Sequence, residues 1–297
     1  MSEPVVFVID VLPAEDGGPA RDFGQTVRRT EPGRPTLLVT DLGAARGDGI
    51  FETLGVVGGH PQSVEAHLAR LANSATLLEL PAPNLDQWRA AVRIAADSLP
   101  SDVQCGLKLV LTRGVEGSGI PTAWIVASVA ASDFAERHTG IRVVTLDRGY
   151  PSDVAARAPW LLAGAKTLSY AVNMAAQREA VKRGADDAIF ISSDGFVMEA
   201  PTSTVIVRTG DTFITPRTDI GILPGTAQLA LFDFYRGQGF QAREDLVTTA
   251  DLVGADGVWL VSSVRLAAPV VRIDGTPVAH DLDMTDRMNE ALLARDA

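Results

Sequence analysis

Two strand–turn–strand units in tandem constrain this 297-residue chain more than any other feature of it. Apolar and β-prone residues fill 188–192 and 196–199 about the turn Asp194-Gly195, and the pattern returns over 204–208 and 212–215 about Gly210-Asp211. Such turn pairs between apolar runs read as hairpins, so the second half must build a sheet with antiparallel neighbours. A helix precedes the hairpins. Leu168, Ala171, Val172, Ala175 and Ala176 recur at helical spacing over 167–183, with Gly184 as the C-terminal cap. Gly225-Thr226 opens another helix to about Gly237, and 257–262 reads as a buried strand.

The first half is patterned differently. Residues 3–34 read as a strand and a long loop, because one apolar run gives way to Gly, Pro and charge. After the apolar run 36–40, Gly47-Asp48-Gly49 feeds a β-rich segment that continues to Val57 and turns at Gly58-Gly59. Ser63 can cap a helix bearing Leu68, Leu71, Ala72, Ala75 and Leu78, and a second helix over 85–98 and strands over 106–112 and 122–129 follow. Residues 149–159, with two prolines and a run of small residues, form the expected linker. The expectation is an N-terminal α+β domain over 1–148 and a C-terminal domain over 160–297, in keeping with two domains for this length.

Composition narrows the function. With 46% hydrophobic and 21% charged residues the chain can bury a sizeable core, and a net charge of -11 argues against nucleic acid or anionic membranes as partners. The single cysteine, Cys105, rules out an internal disulfide and reads as a buried structural thiol, which fits a cytoplasmic protein. Neither an export signal nor a membrane span is expected, since the N-terminal run lacks a positive flank and no apolar stretch is long enough.

The chemistry centres on Lys166. It follows the apolar run 160–165 and is expected at the start of the 167–183 helix, where desolvation and the helix terminus both favour the neutral amine a Schiff base needs. Alone, such a lysine reads as a surface residue. Glu199, standing at a strand end before Ala200-Pro201-Thr202-Ser203-Thr204, changes that, because a carboxylate against a pyridine nitrogen keeps the ring protonated and makes it an electron sink. Gly221-Ile222-Leu223-Pro224-Gly225-Thr226 ends where a helix begins and suits an anion, with Thr226, Ser262 and Ser263 as further donors. The glycine-rich segments match neither a dinucleotide fingerprint nor a phosphate loop with its lysine, which sets aside a nucleotide-binding module.

Taken in order, Gly47-Asp48-Gly49-Ile50-Phe51-Glu52, His67-Leu68-Ala69-Arg70-Leu71, Lys166, Glu199-Ala200-Pro201-Thr202-Ser203, the 221–226 segment and Ser262-Ser263 make the chain resemble the class IV, or fold-type IV, pyridoxal phosphate (PLP) enzymes. The resemblance runs from about Val39 to Val278. That family includes branched-chain and D-amino acid aminotransferases and aminodeoxychorismate lyases. The resemblance implies a two-domain fold like that of D-amino acid aminotransferase, with the active site between the domains, PLP as cofactor, no metal, a small-molecule substrate and a homodimer. It further implies Lys166 as the cofactor lysine and proton shuttle, Glu199 as partner of the pyridine nitrogen, Arg70, Gly225, Thr226 and Ser263 as phosphate ligands, and Tyr170 as an active-site tyrosine.

The runs from Lys166 to Ala175 and from Trp259 to Arg265 are similar to actinobacterial members assigned as 4-amino-4-deoxychorismate lyases. Elimination of pyruvate to give 4-aminobenzoate, a step of folate biosynthesis, is therefore the expected reaction, with D-amino acid or branched-chain amino transfer as the alternative. The Arg-x-His trap of bacillus-type D-amino acid aminotransferases is missing after Thr112-Arg113-Gly114, and Phe51 stands where those enzymes have tyrosine. A substrate with two carboxylates asks for a further cation. Arg46, Arg113 and Arg265 flank the motifs and are candidates, each reading as structural when taken alone.

Overall fold

The computed structural model describes residues 3–18, 21–130 and 133–295; the outer ends of both expected domains and part of the expected N-terminal loop lie outside the described residues. The chain divides into two units, one running to Asp133 and taking in Ala165–Tyr170, the other made of Phe134–Gly164 and Ala171–Arg295.

In the first unit β1 (Val5–Ile9), β2 (Val27–Thr30), α1 (Leu42–Arg46), β3 (Gly49–Val57), β4 (His60–Pro61), α2 (Val64–Leu77), α3 (Leu85–Ala96), β5 (Cys105–Thr112) and β6 (Thr122–Val129) follow in order. The strands form one antiparallel sheet, β2-β1-β6-β5-β3-β4. Because side chains alternate along a strand, Ile50, Glu52 and Leu54 of β3 share a face with Leu111, Leu109 and Leu107 of β5, their register partners. All six are buried. Leu68 and Leu71 of α2 and Trp88, Ala91 and Val92 of α3 complete this core, each large apolar side chain contributing about 1.5–3 kcal/mol by leaving water. Asn84 caps α3 by accepting from the Gln87 N–H. Ser63 does occupy the N-cap of α2, but its backbone is left-handed and its side chain makes no cap bond. The apolar run 36–40 forms no strand, and Leu38 and Val39 are exposed.

The second unit contains α4 (Glu136–Thr139), β7 (Ile141–Asp147), α5 (Val154–Arg157), α6 (Ala171–Lys182), β8 (Asp187–Ile191), β9 (Thr204–Thr209), β10 (Thr212–Pro216), α7 (Thr226–Gly237), β11 (Gln241–Asp245), α8 (Thr249–Gly254), β12 (Gly257–Ser262), β13 (Leu266–Ile273), β14 (Thr276–Pro277) and α9 (Leu282–Leu293). Its mixed sheet runs β11-β10-β9-β12-β13-β7-β8, with β14 on β13. The hairpin about Gly210-Asp211 is β9–β10. The one about Asp194-Gly195 is looser: Met198 N–H donates to Phe190 C=O and Phe190 N–H to Glu199 C=O, both at 2.9 Å, and Ile191 bridges Val197. One core lies around Val205, Val207, Val258 and Leu260, and a second gathers Ile206, Phe213, Leu231, Tyr235 and Trp259. Among the described residues no helix is long and apolar enough to cross a membrane.

Two expectations are corrected. Residues 149–159 are not the junction, since β7 pairs with β13 and β8 and so commits the preceding and following chain to the second sheet. The chain passes between units at Asp133/Phe134, returns for Ala165–Tyr170, and leaves again. The 167–183 helix begins only at Ala171. Residues 166–168 are not helical because their backbone is spent on β3: Thr167 bridges Ile50, Phe51 N–H donates to Lys166 C=O at 3.0 Å and Leu168 N–H to Gly49 C=O at 2.8 Å. Lys166 is therefore not a helix-start lysine, and the helix-dipole part of the expectation falls with it.

Candidate active site

In the first unit the returning segment hangs Lys166 on the start of β3. Its N–H donates to Ser74 Oγ at 3.2 Å, and its Nζ lies 4.5 Å from the centroid of the Phe51 ring. Tyr170, half-buried, meets the same ring edge-on at 5.3 Å. A second lysine joins them: Lys108 of β5, exposed, puts its Nζ 5.0 Å from the Phe51 centroid. Two amines and a phenol thus gather about one phenyl ring.

Arg70 belongs to a different cluster of the same unit. Glu52 Oε1 accepts from Arg70 Nε and Oε2 from Arg70 Nη2, both at 2.7 Å, and Oε2 lies 2.8 Å from His67 Nδ1. Glu52 and His67 are wholly buried. Burial works against the Glu52 charge, yet the Arg70 charge and the bonds from Arg70 and His67 outweigh it, and the carboxyl sits lowered to about 2.

In the second unit Glu199, Gly225, Thr226 and Ser263 are brought together by the 221–226 loop. Leu223 N–H donates to Glu199 Oε2 at 3.1 Å, and Thr226 Oγ1 lies 3.0 Å from Ser263 Oγ. Gly225 is the N-cap of α7, so no side chain caps that 12-residue helix. The helix start presents backbone N–H groups together with two hydroxyls, the donor set an anion needs. Gln228 Nε2, in the first turn of α7, is buried without a hydrogen-bond partner, a further donor at this terminus. These residues fit a phosphate at α7 and a ring nitrogen at Glu199. Gly225→Ala would set a Cβ 2.3 Å from Thr204 Oγ1. The forced shift should destabilise the apo-protein by about 1–3 kcal/mol, readable as a lower thermal midpoint; an unchanged midpoint would mean that Thr204 simply turns aside.

The arginine candidates separate. Arg113 grips Asp48 through Nε and Nη2 and donates to the Leu78 and Glu79 carbonyls at the end of α2, a structural role. Arg265 is engaged by Asp187 at 2.9 Å and Ser203 at 2.8 Å. Arg46 is exposed in the last turn of α1. Sequence reasoning missed Lys108 and the Glu52–His67 pair. Strand alternation carried a signal for both, because Phe51, Thr53 and Lys108 must share one face of the sheet and Glu52 the other.

The sequence profile of class IV amino-transferases matches residues 49–273. A bifunctional aminodeoxychorismate lyase / D-amino acid transaminase of Mycobacterium tuberculosis is 46% identical over 265 residues, covering 84% of this chain and 92% of that protein. Among solved structures, a fold IV-transaminase from Curtobacterium pusillum is 45% identical with a TM-score of 0.92, covering 99% of this chain and 100% of that one. A hypothetical aminotransferase from Mycobacterium tuberculosis in its PLP-bound form is 42% identical with a TM-score of 0.87, covering 90% and 96%. The chain belongs to the class IV aminotransferase family, PLP-dependent enzymes of fold type IV.

Proposed function

We propose that this enzyme is a 4-amino-4-deoxychorismate lyase. The observation that carries the reading is its 46% identity, over 84% of this chain and 92% of the other, to a protein named as a bifunctional enzyme whose first activity is that of an aminodeoxychorismate lyase. Bound PLP supplies the electron sink that makes a substrate C–H bond acidic. Lys166 Nζ is the cofactor's attachment point and the group that moves the proton. Glu199 holds the proton on the ring nitrogen, Arg70, Thr226, Ser263 and the α7 terminus at Gly225 hold the phosphate, and Tyr170 borders the reacting atoms. In the elimination a proton leaves the carbon bearing the amino group, the neighbouring ether C–O bond breaks, and the departing enolpyruvyl group takes up a proton to become pyruvate. Lys108, beside Lys166 on the Phe51 ring, is the cation for one substrate carboxylate.

Amino transfer from a D-amino acid is the second reading, favoured by the bifunctional name of the same relative and by the transaminase at 45% identity. The assay that decides supplies aminodeoxychorismate and follows 4-aminobenzoate and pyruvate, then supplies D-alanine with 2-oxoglutarate. Pyruvate in the second assay alone overturns the lyase reading. Lys108→Met should raise KM for aminodeoxychorismate about tenfold or more, the worth of a charge-assisted bond, and leave PLP binding as it was. An unchanged KM would remove Lys108 from the substrate site.

A further inference from the structure

A carboxylate with no exposed surface needs a reason to be there. Glu52 stands on the core face of β3 between Ile50 and Leu54, and a buried ion pair seldom stabilises a fold better than apolar side chains of the same volume would. Its geometry supplies the reason. His67 and Arg70 lie three residues apart on α2, so one helix face delivers both to the one carboxylate. Two parallel bonds at 2.7 Å take the Nε–Nη2 edge of Arg70, fixing the plane of the guanidinium, and the bond from His67 at 2.8 Å fixes the carboxylate in turn. Held by that edge, the guanidinium turns Nη1 away from Glu52. Arginine otherwise carries much rotamer freedom, lost on meeting a ligand; here folding has already removed it.

We infer that Glu52 and His67 are positioning residues that hold the Arg70 guanidinium in the orientation in which it receives the cofactor's phosphate. The inference rests on the reading of Arg70 as a phosphate ligand. It assigns the GDGIFE segment and His67 a binding function exercised through Arg70 rather than by contact with cofactor or substrate.

The test separates phosphate recognition from everything else in the site. Apo-protein is titrated with PLP and, separately, with pyridoxal, which lacks the phosphate, by visible absorbance, and inorganic phosphate is added as a competitor. Glu52→Gln should raise the Kd for PLP about tenfold or more, the scale on which loss of an outer partner weakens a ligand. It should leave the Kd for pyridoxal within about twofold and weaken competition by inorganic phosphate. His67→Asn keeps the ion pair and should give a smaller loss of the same kind; it carries the test alone if Glu52→Gln does not fold. Equal losses for PLP and pyridoxal, or no loss for either, overturn the inference. Arg70→Gln isolates the underlying reading: if it shows no phosphate-specific loss, Arg70 is not a phosphate ligand, whereas a loss there without one in Glu52→Gln or His67→Asn leaves that reading standing and removes the positioning role.

Discussion

Lys166→Ala should abolish turnover of every substrate, by at least about 10⁴-fold, because proton transfer alone is worth about that much and attachment of the cofactor is lost with it. The protein should still fold. The bonds that hold residue 166 use its own main-chain groups, Phe51 N–H of β3 to Lys166 C=O and Lys166 N–H to Ser74 Oγ of α2, and truncating the side chain leaves them in place. The contact with the Phe51 ring goes, worth about 0.5–1 kcal/mol at a partly exposed site. Visible absorbance with added PLP, its bleaching by borohydride, and the thermal midpoint of the apo-protein together check this. Retained activity would mean another lysine does the chemistry, and collapse of the midpoint would mean the side chain holds the segment.

The second large effect is on stability in acid. Glu52 lies near 4.5 in the unfolded chain and about 2 in the folded one, so above pH 4.5 it contributes about 3 kcal/mol, and that contribution fades as pH falls towards 2. Denaturant unfolding of the apo-protein between pH 6 and 2.5 should therefore lose stability more steeply in wild type than in Glu52→Gln, which has no such proton to gain. Parallel curves would show that Glu52 does not carry the transition. At neutral pH the same substitution should destabilise by about 3 kcal/mol, since it takes the carboxylate charge away from the part-buried Arg70 guanidinium.

The hairpin at 204–215, the helix from Thr226, and the strands around 50–57, 106–112 and 122–129 were legible because each rests on a local rule: period-two alternation, a turn pair, or a glycine before an apolar helical face. What was not legible depends on partners far away in sequence. Leu168 fits the helical spacing of 167–183, yet its N–H belongs to Gly49, and no local pattern announces a bond across more than a hundred residues. The junction was misplaced for the same reason, because 141–147 falls within the expected 1–148 domain until β13 and β8 are seen on either side of it. The site was readable only as motifs in order. Glu199 with the 221–226 loop and Thr226 with Ser263 do meet, whereas the dual grip of Glu52 on His67 and Arg70 required strand and helix to be set side by side.

The six residues Ala165–Tyr170 hydrogen-bond with a sheet whose own last strand ends at Val129, while the chain on both sides of them belongs to the other sheet. A polypeptide released from the ribosome at residue 133 would thus contain every strand of the first sheet and still lack Lys166, and a fragment starting at 134 would carry that lysine without the β3 and α2 partners of its main chain. Neither piece is a catalytic module, so this enzyme cannot be shuffled, split or swapped at its structural boundary without the six-residue loan being arranged for as well.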